Sequence, residues 1–328
     1  MIRIALAGDV MLGRNVARAI EARPPEHVWG DVLPELLACD VRIVNLECAI
    51  ARPGVHPRWT PPKAFHFLAG PRATDVLNAA AIDLVTLANN HTLDFGEGGL
   101  LETLERLEAA GIAYAGAGRD AREARRPARL RAGSSSVAVL AFTDNEPRWE
   151  AADDRPGVHY VPVRPEDSRA AALRRAVAES AKSDDLVLVA GHWGPNMLDR
   201  PLPHHPPFAR ALTDAGAHAF AGHSAHVFQG VEVLAGRPIL YDLGDFVDDY
   251  AVDRELRNDR SFLWILDADG SGVSAIECVP VVIDARACRV GLATGAEARA
   301  ASERLIRLCA EMGTAAEWAG DRVAIALR

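Results

Sequence analysis

The chain has 328 residues, 49% hydrophobic and 25% charged, which excludes a low-complexity polymer and suffices for one large α/β core or two average domains. Its formal net charge of −9 argues against a general nucleic-acid binder, because an acidic surface repels polyanions at long range. Five widely spaced cysteines without a CxxC pair argue against a cysteine zinc site and a disulfide framework, and read instead as small buried hydrophobes.

Apolar runs alternate with helix-period segments along the chain. Residues 2–8 predict a buried strand, 13–22 a helix and 41–46 a second strand. A helix at 72–81 leads to a strand at 83–88. Leu100, Leu101, Leu104 and Leu107 set the face of a helix over 97–110, which Gly111 stops, and a short strand follows at 112–115. Ser134–Ser136 mark a turn before a strand at 137–143. Residues 144–163 have no clear period and predict a long surface loop or lid. A helix at 167–181, a strand at 185–190, a helix at 207–215 and a strand at 217–221 continue the alternation. Strands are expected at 238–243, 262–268 and 274–283, then a helix at 297–311. This βαβα rhythm predicts a layered α/β core with a largely parallel sheet, and no linker interrupts it, so residues 1–328 read as one domain.

The N-terminal apolar run is short and ends at Asp9, unlike a signal peptide, and no stretch is long enough to span a bilayer. The expectation is a cytoplasmic protein without a membrane anchor.

Ligand-type side chains recur just past the strand ends, where open α/β sheets hold their ligands. The first strand ends at Asp9, the second at Asn45-Leu46-Glu47, the third at Asn89-Asn90-His91. Later strands deliver His192, then His223 and His226, then Gly244-Asp245-Phe246. Carboxylates, imidazoles and an amide oxygen on separate loops are a ligand set for divalent cations, and two cations sharing a carboxylate can clamp both oxygens of a displacement. Each residue alone has a plainer reading. Asp9 would cap a helix, Asn89 and Asn90 would form a turn, and a lone histidine would be structural. His204 and His205, in a proline-rich loop, read as exposed. Recurrence at successive strand ends favours a shared site.

The segments 8–14 (Gly-Asp-Val-Met-Leu-Gly-Arg), 45–47 (Asn-Leu-Glu), 88–96 (Ala-Asn-Asn-His-Thr-Leu-Asp-Phe-Gly), 192–194 (His-Trp-Gly), 222–229 (Gly-His-Ser-Ala-His-Val-Phe-Gln) and 243–246 (Leu-Gly-Asp-Phe) occur in an order that resembles the CapA family of capsule and poly-γ-glutamate synthesis, within the calcineurin-like metallophosphoesterase superfamily. They span residues 8 to about 250. The resemblance implies a four-layer αββα sandwich and one or two divalent ions (Mn, Fe or Zn). It implies that Asp9 and His226 hold one metal, that Asn90, His192 and His223 hold the other, and that Glu47 bridges, with Asn45 a rival. His91 resembles the superfamily histidine that acts as acid, and Arg14 would orient an anionic substrate group. The chain departs from the pattern at Met11, where the superfamily has a histidine, and at Asp245, where an asparagine is commoner.

Three functions fit this reading. The first is a hydrolase acting on a phosphoester or on a peptide or γ-glutamyl bond through a metal-activated water, with His91 protonating the leaving group. The second is a metal-independent peptide Cα epimerase of the lasso-peptide type, in which Asp9 and one of His91, His192, His223 or His226 exchange a proton. The third is a non-catalytic binding protein. The partner in every case is a small molecule or a peptide. Residues 144–163 and Trp59 are candidate substrate-contacting loops.

Overall fold

The most apolar runs become strands buried on both faces, as parallel strands covered by helices must be. The computed structural model describes residues 1–58 and 63–327, so Trp59 lies outside the described residues. One sheet runs in the order Ala316–Ala319, Arg322–Ile325, Gly272–Asp284, Arg260–Asp269, Ile2–Val10, Val41–Leu46, Leu84–Thr86, Ala113–Ala115. Its half from Ile2–Val10 onward is parallel, and Asp245–Val247 also lies parallel to the end of Ile2–Val10. The second sheet runs Val231–Leu234, Arg237–Leu240, Ala219–His223, Leu186–His192, Ser135–Thr143, Ala128–Ala132. Its four central strands are parallel and its two edges antiparallel.

Alternation along each strand sorts the side chains into layers. Ile2, Ile4 and Leu6 of the first sheet meet Val137, Val139, Leu186 and Leu188 of the second in a core between the sheets. Ala5, Ala7, Val44 and Val85 face the other way, where Gly96–Ala109 sets down Leu100, Leu104 and Leu107 and Arg14–Ala22 sets down Val16 and Ile20. Outside the second sheet, Leu140, Phe142, Val187 and Val189 are covered by Leu173 and Val177 of Ser168–Ser183 and by Phe208 and Leu212 of His205–Asp214. The result is a four-layer αββα sandwich. Gly295–Glu311 closes the layer between the sheets with Leu305 and Leu308.

The expected strands and helices occur within a few residues of their expected limits, but two expectations change. Residues 144–163 are not an open lid: Trp149, Ala151, Val158 and Val161 are buried, and Gly157–Val158 pairs with Ala117–Gly118. The apolar residues there follow no period, so their burial has no local signature. His205 is also buried, stacked on Trp193 at 4.2 Å between ring centroids, while His204 is exposed. All five cysteines are buried free thiols. Among the described residues, no helix is long and apolar enough to cross a membrane.

Candidate active site

The carboxyl ends of the parallel strands in both sheets converge at one rim, and the polar cluster lies there. Asp9 is level with Asn45 and with Asp245 on the strands to either side, and His192 is level with His223. Ladder register shifts at Asp9 on both sides turn its side chain toward the second sheet. Gly8 permits this, because a Cβ there would lie 1.8 Å from the Gly244 carbonyl oxygen. Gly222 meets the same constraint in the other sheet, with the Tyr241 carbonyl oxygen 1.8 Å from its would-be Cβ. Beyond Gly222 the chain turns tightly. Ser224 and His226 have positive φ, and Ser224 Oγ donates to the Gly194 carbonyl at 3.0 Å, so one short turn aims both His223 and His226 at Asp9.

Asp9 is the hub. His223 Nδ1 lies 3.2 Å from Asp9 Oδ1, and His226 Nδ1 lies 3.3 Å from Asp9 Oδ2 and 2.8 Å from Asp245 Oδ1. Asn45 Nδ2 donates to Asp9 Oδ1 at 2.7 Å and lies 3.2 Å from His192 Nδ1. Glu47 Oε1 is 3.9 Å from both His91 Nε2 and His192 Nε2. Two compact groups of potential ligand atoms result, Asp9–His226–Asp245 and Asp9–Glu47–His192. The carboxylate they share is Asp9, whereas the resemblance had given the bridge to Glu47.

Asn45 and Glu47 differ in their hydrogen bonds. Asn45 Oδ1 already accepts from Thr86 Oγ1 and Asn89 Nδ2, so that side chain is a strut for Asp9. Glu47 Oε1 is buried with no hydrogen-bond partner, and so are Asp9 Oδ2, Asp245 Oδ2 and His192 Nε2. Uncommitted buried acceptors are costly, and several facing one another are the donor set of a divalent cation. The residues present therefore fit metal ions. Asn90 is half-buried, its Oδ1 also without a partner, and its carbonyl accepts from Lys63. Asn89 is structural, donating to Leu46 O and accepting from the His91 amide and Thr92.

Electrostatics follow from this crowding. Burial opposes the charge on Asp9, yet the imidazoles of His223 and His226 hold its carboxyl well below the usual range. Burial, with the Asp9 charge adding to it, pushes Glu47 up to about 8. Burial also pulls His192 down to about 3, keeping it a neutral, ligand-competent imidazole. For His226 burial is outweighed by Asp245 and Glu47, which raise it well above the ordinary imidazole value.

His91 stands beside the hub, stacked on Phe67 at 3.9 Å between ring centroids. Its Nδ1 meets Asp94 Oδ2 at 2.6 Å, leaving Nε2 toward the site. Asp94 is fully buried and also accepts the Phe67 amide on Oδ2 at 2.7 Å and Lys63 Nζ on Oδ1 at 2.9 Å. Arg14 lies at the edge, 3.2 Å from Asp249 through Nε and over the rings of Phe65 and Tyr250. A cleft of about 300 Å³ opens there, lined by Arg14, Phe65, Phe67, His91, His226 and Tyr250. Tyr250 OH donates to Glu47 Oε2 at 3.2 Å, joining cleft and cluster.

Sequence reasoning placed seven ligand-type residues at strand ends, and six of them (Asp9, Glu47, His91, His192, His223 and His226) meet within this cluster. Asn90 is adjacent to it through His91. Lys63, Asp94 and Tyr250 had been given no role, and Asp245 none beyond an extra carboxylate. Asp94 was signalled by its place three residues after His91, but Lys63 had no signal in its aperiodic loop.

A family model described as "Bacterial capsule synthesis protein PGA_cap" matches residues 3–250. A "Probable polyglutamine synthesis accessory protein" of Mycobacterium tuberculosis is 32% identical, the match covering 76% of this chain and 75% of that protein. The "PGA biosynthesis protein CapA" of Bacillus subtilis and the "Capsule biosynthesis protein CapA" of Bacillus anthracis are each 28% identical over 86% of this chain, and over 72% and 67% of their own lengths. A hypothetical protein of solved structure from Thermus thermophilus superposes with a TM-score of 0.49 at 17% identity, covering 85% of this chain and 98% of that one.

Proposed function

Because the chain belongs to the bacterial capsule synthesis protein family that includes CapA, we propose that it is a metal-dependent hydrolase of a phosphoester or of a peptide or γ-glutamyl amide bond. One observation carries this reading: Asp9, Glu47, Asp245 and His192 each bury a polar atom without a hydrogen-bond partner, and each belongs to one of two compact groups of potential ligand atoms that share Asp9. Asp9 with His226 and Asp245 would hold one divalent ion, and Asp9 with Glu47 and His192 another. Such ions would supply Lewis-acid stabilisation of charge developing on a substrate oxygen.

The protein's own groups do the rest. Asp94 accepts a hydrogen bond from His91 Nδ1–H and fixes the ring, so that Nε2 is the nitrogen presented to the leaving group. Burial pulls His91 down to about 4, and Asp94 acts against that pull. An anionic substrate beside it would favour the imidazolium further, which then donates its Nε2 proton to the departing oxygen or nitrogen. The cleft at Arg14 would receive the remainder of the substrate, with phosphoester, peptide and poly-γ-glutamate segments as the classes to test.

Epimerisation needs an acid and a base on opposite sides of a substrate Cα. Asp9 is in direct contact with His223 and His226 at 3.2 and 3.3 Å, which leaves no gap for a Cα–H between them. Those contacts do not bear on Asp9 with His91 or His192, the latter separated from Asp9 by Asn45; we favour hydrolysis because the unpartnered buried donors fit metal ions.

The test is elemental analysis of the purified protein, followed by assays with Mn²⁺, Fe²⁺ or Zn²⁺ on aryl phosphates and γ-glutamyl anilides. Bound metal and chelator-sensitive cleavage are expected. Protein that takes up no metal and cleaves neither class would overturn the proposal, and deuterium uptake at a peptide Cα without cleavage would replace it by epimerisation.

A further inference from the structure

We propose that Arg304 is a positioning residue for the substrate cleft: from the helix Gly295–Glu311 it fixes, relative to one another, two of the loops that wall that cleft. This inference rests on the reading of the cleft as the place of the substrate, and it concerns the walls of the cleft rather than the cation cluster.

Residues 193–204 join Leu186–His192 to His205–Asp214, and residues 248–259 join Asp245–Val247 to Arg260–Asp269. The first loop brings Asn196 and Met197 to the cleft lining, and the second brings Tyr250, Ala251 and Asn258. Neither contains a strand, so no ladder holds them. The second loop is closed on itself by Asn258, whose side chain accepts the Asp253 amide at 2.8 Å and donates to the Ala251 carbonyl at 3.3 Å. The first is tied to the segment that carries His223 and His226, through the Met197 amide on the Ala225 carbonyl and Gln229 Nε2 on the Leu198 carbonyl, both at 2.8 Å. Those bonds shape each loop but do not join one to the other.

Arg304 reaches both. Its Nη1 donates to the Leu256 carbonyl of the second loop, and its Nη2 lies 4.0 Å from Asp199 Oδ2 of the first. The guanidinium stands 4.7 Å from the ring centroid of Phe228, a fully buried residue of the segment that follows His226. The side chain is 14% exposed, and Nη2 is buried with no hydrogen-bond partner. Among the described residues, Asp199 is the one carboxylate within 4.0 Å of it. A buried charge so sparsely compensated is a weak source of stability, and the best-attested use of such a group is to specify one arrangement of the elements it touches. Two more ion pairs join the same helix to the same loops, Arg200 to Glu311 at 2.7 and 2.9 Å and Arg257 to Glu297 at 3.1 Å. Both are partly exposed, and pairs of that kind contribute little, so the spacing of the loops depends on Arg304. Arg304 does not line the cleft itself and acts through Met197, Tyr250 and Ala251. It also lies beyond residues 3–250 of the family match, so the cluster and the walls of the cleft are set by separate parts of the chain.

The experiment compares wild type, Arg304→Met and Arg304→Lys in two readouts: amide hydrogen exchange by mass spectrometry, and steady-state cleavage of an aryl phosphate or γ-glutamyl anilide with Mn²⁺ present. Methionine keeps an apolar contact on Phe228 and removes both polar ones. In Arg304→Met the amides of 195–200 and 251–257 should exchange faster together, while Ile2–Val10 and Leu186–His192 stay as protected as before. KM should rise at least about fivefold with kcat within about twofold of the wild type. Arg304→Lys, which keeps the charge and one point of donation, should restore part of the protection and part of the KM. Unchanged exchange in both loops, or faster exchange in one alone, would overturn the inference. So would loosening of both loops with KM unchanged, or a fall in kcat alone. A wild type that cleaves neither probe overturns the hydrolase reading but not the brace, which the exchange comparison then decides by itself. Should Arg304→Met fail to fold, Arg304→Lys carries the same comparison, with a smaller loss expected in the same two loops and none at all refuting it.

Discussion

Replacing Asp94 by asparagine separates the work of the His91 ring from that of the proposed cation cluster. Asp94 serves three donors with two oxygens: His91 Nδ1 at 2.6 Å and the Phe67 amide at 2.7 Å on Oδ2, and Lys63 Nζ at 2.9 Å on Oδ1. Asparagine has one acceptor oxygen, so in either orientation its NH₂ confronts at least one of these donors. Each charge-assisted bond lost in a buried setting is worth about 1.5–3 kcal/mol. If that loss falls on the orientation of His91, turnover drops roughly ten- to a hundredfold, below the ceiling of about ten-thousandfold for removing a general acid outright. The assay compares two substrates of the same bond class, one with a good aryl leaving group and one with a poor alkyl leaving group, at saturating metal. Only the poor leaving group needs a proton from His91, so the loss should concentrate there, with metal content unchanged. An equal loss on both substrates would refute the reasoning, because damage to the cation cluster would be insensitive to the leaving group.

Other perturbations probe separate parts of the molecule. Lys63→Met removes one of the three donors to Asp94 and should show the same leaving-group pattern as Asp94→Asn but a smaller loss, read in the same assay. Gly8→Ala places a methyl group 1.8 Å from the Gly244 oxygen, forcing Ile2–Val10 away from Asp245–Val247; urea unfolding should show a loss of at least about 3 kcal/mol. His159 is buried, donates Nδ1–H to the Ala141 carbonyl at 2.9 Å, and is pulled by burial from 6.5 down to about 4. The fold favours its neutral form, so its contribution is complete above about 6.5 and is lost as pH falls through about 4, amounting to roughly 2 kcal/mol between pH 7.5 and pH 5. His159→Asn keeps a donor but does not titrate, so its urea-unfolding stability should fall by that much less over the same interval; an identical pH slope would contradict this. Adding Mn²⁺ at about a hundred times its Kd should raise the melting temperature of stripped protein by roughly 4–5 °C, and a flat melting curve would count against a cation among Asp9, Glu47 and Asp245.

What could be read from the sequence follows the physics of burial. Strands such as Ile2–Val10 and Leu186–His192 are covered on both faces, so they show as unbroken apolar runs whose polar tips mark the rim of the sheet. Ala128–Ala132 (Ala-Arg-Leu-Arg-Ala) and Arg322–Ile325 were not legible, because short charged strands at or near sheet edges carry little of that signal. The site divides in the same way. Asp9, His192 and His223 stand at the ends of apolar runs, and each could be named from its own neighbourhood. Lys63 and Asp245 acquire meaning only through partners far away in the chain: Lys63 by reaching Asp94 from a loop without period, Asp245 by the register that sets it level with Asp9. The choice between Asn45 and Glu47 was open for a related reason. Both occupy the same strand tip, and what separates them is that Thr86 and Asn89 consume the oxygen of Asn45 while nothing consumes Oε1 of Glu47. A candidate ligand thus stands out here less by residue type than by which acceptors the rest of the fold has left unused, and that property belongs to the assembled pair of sheets.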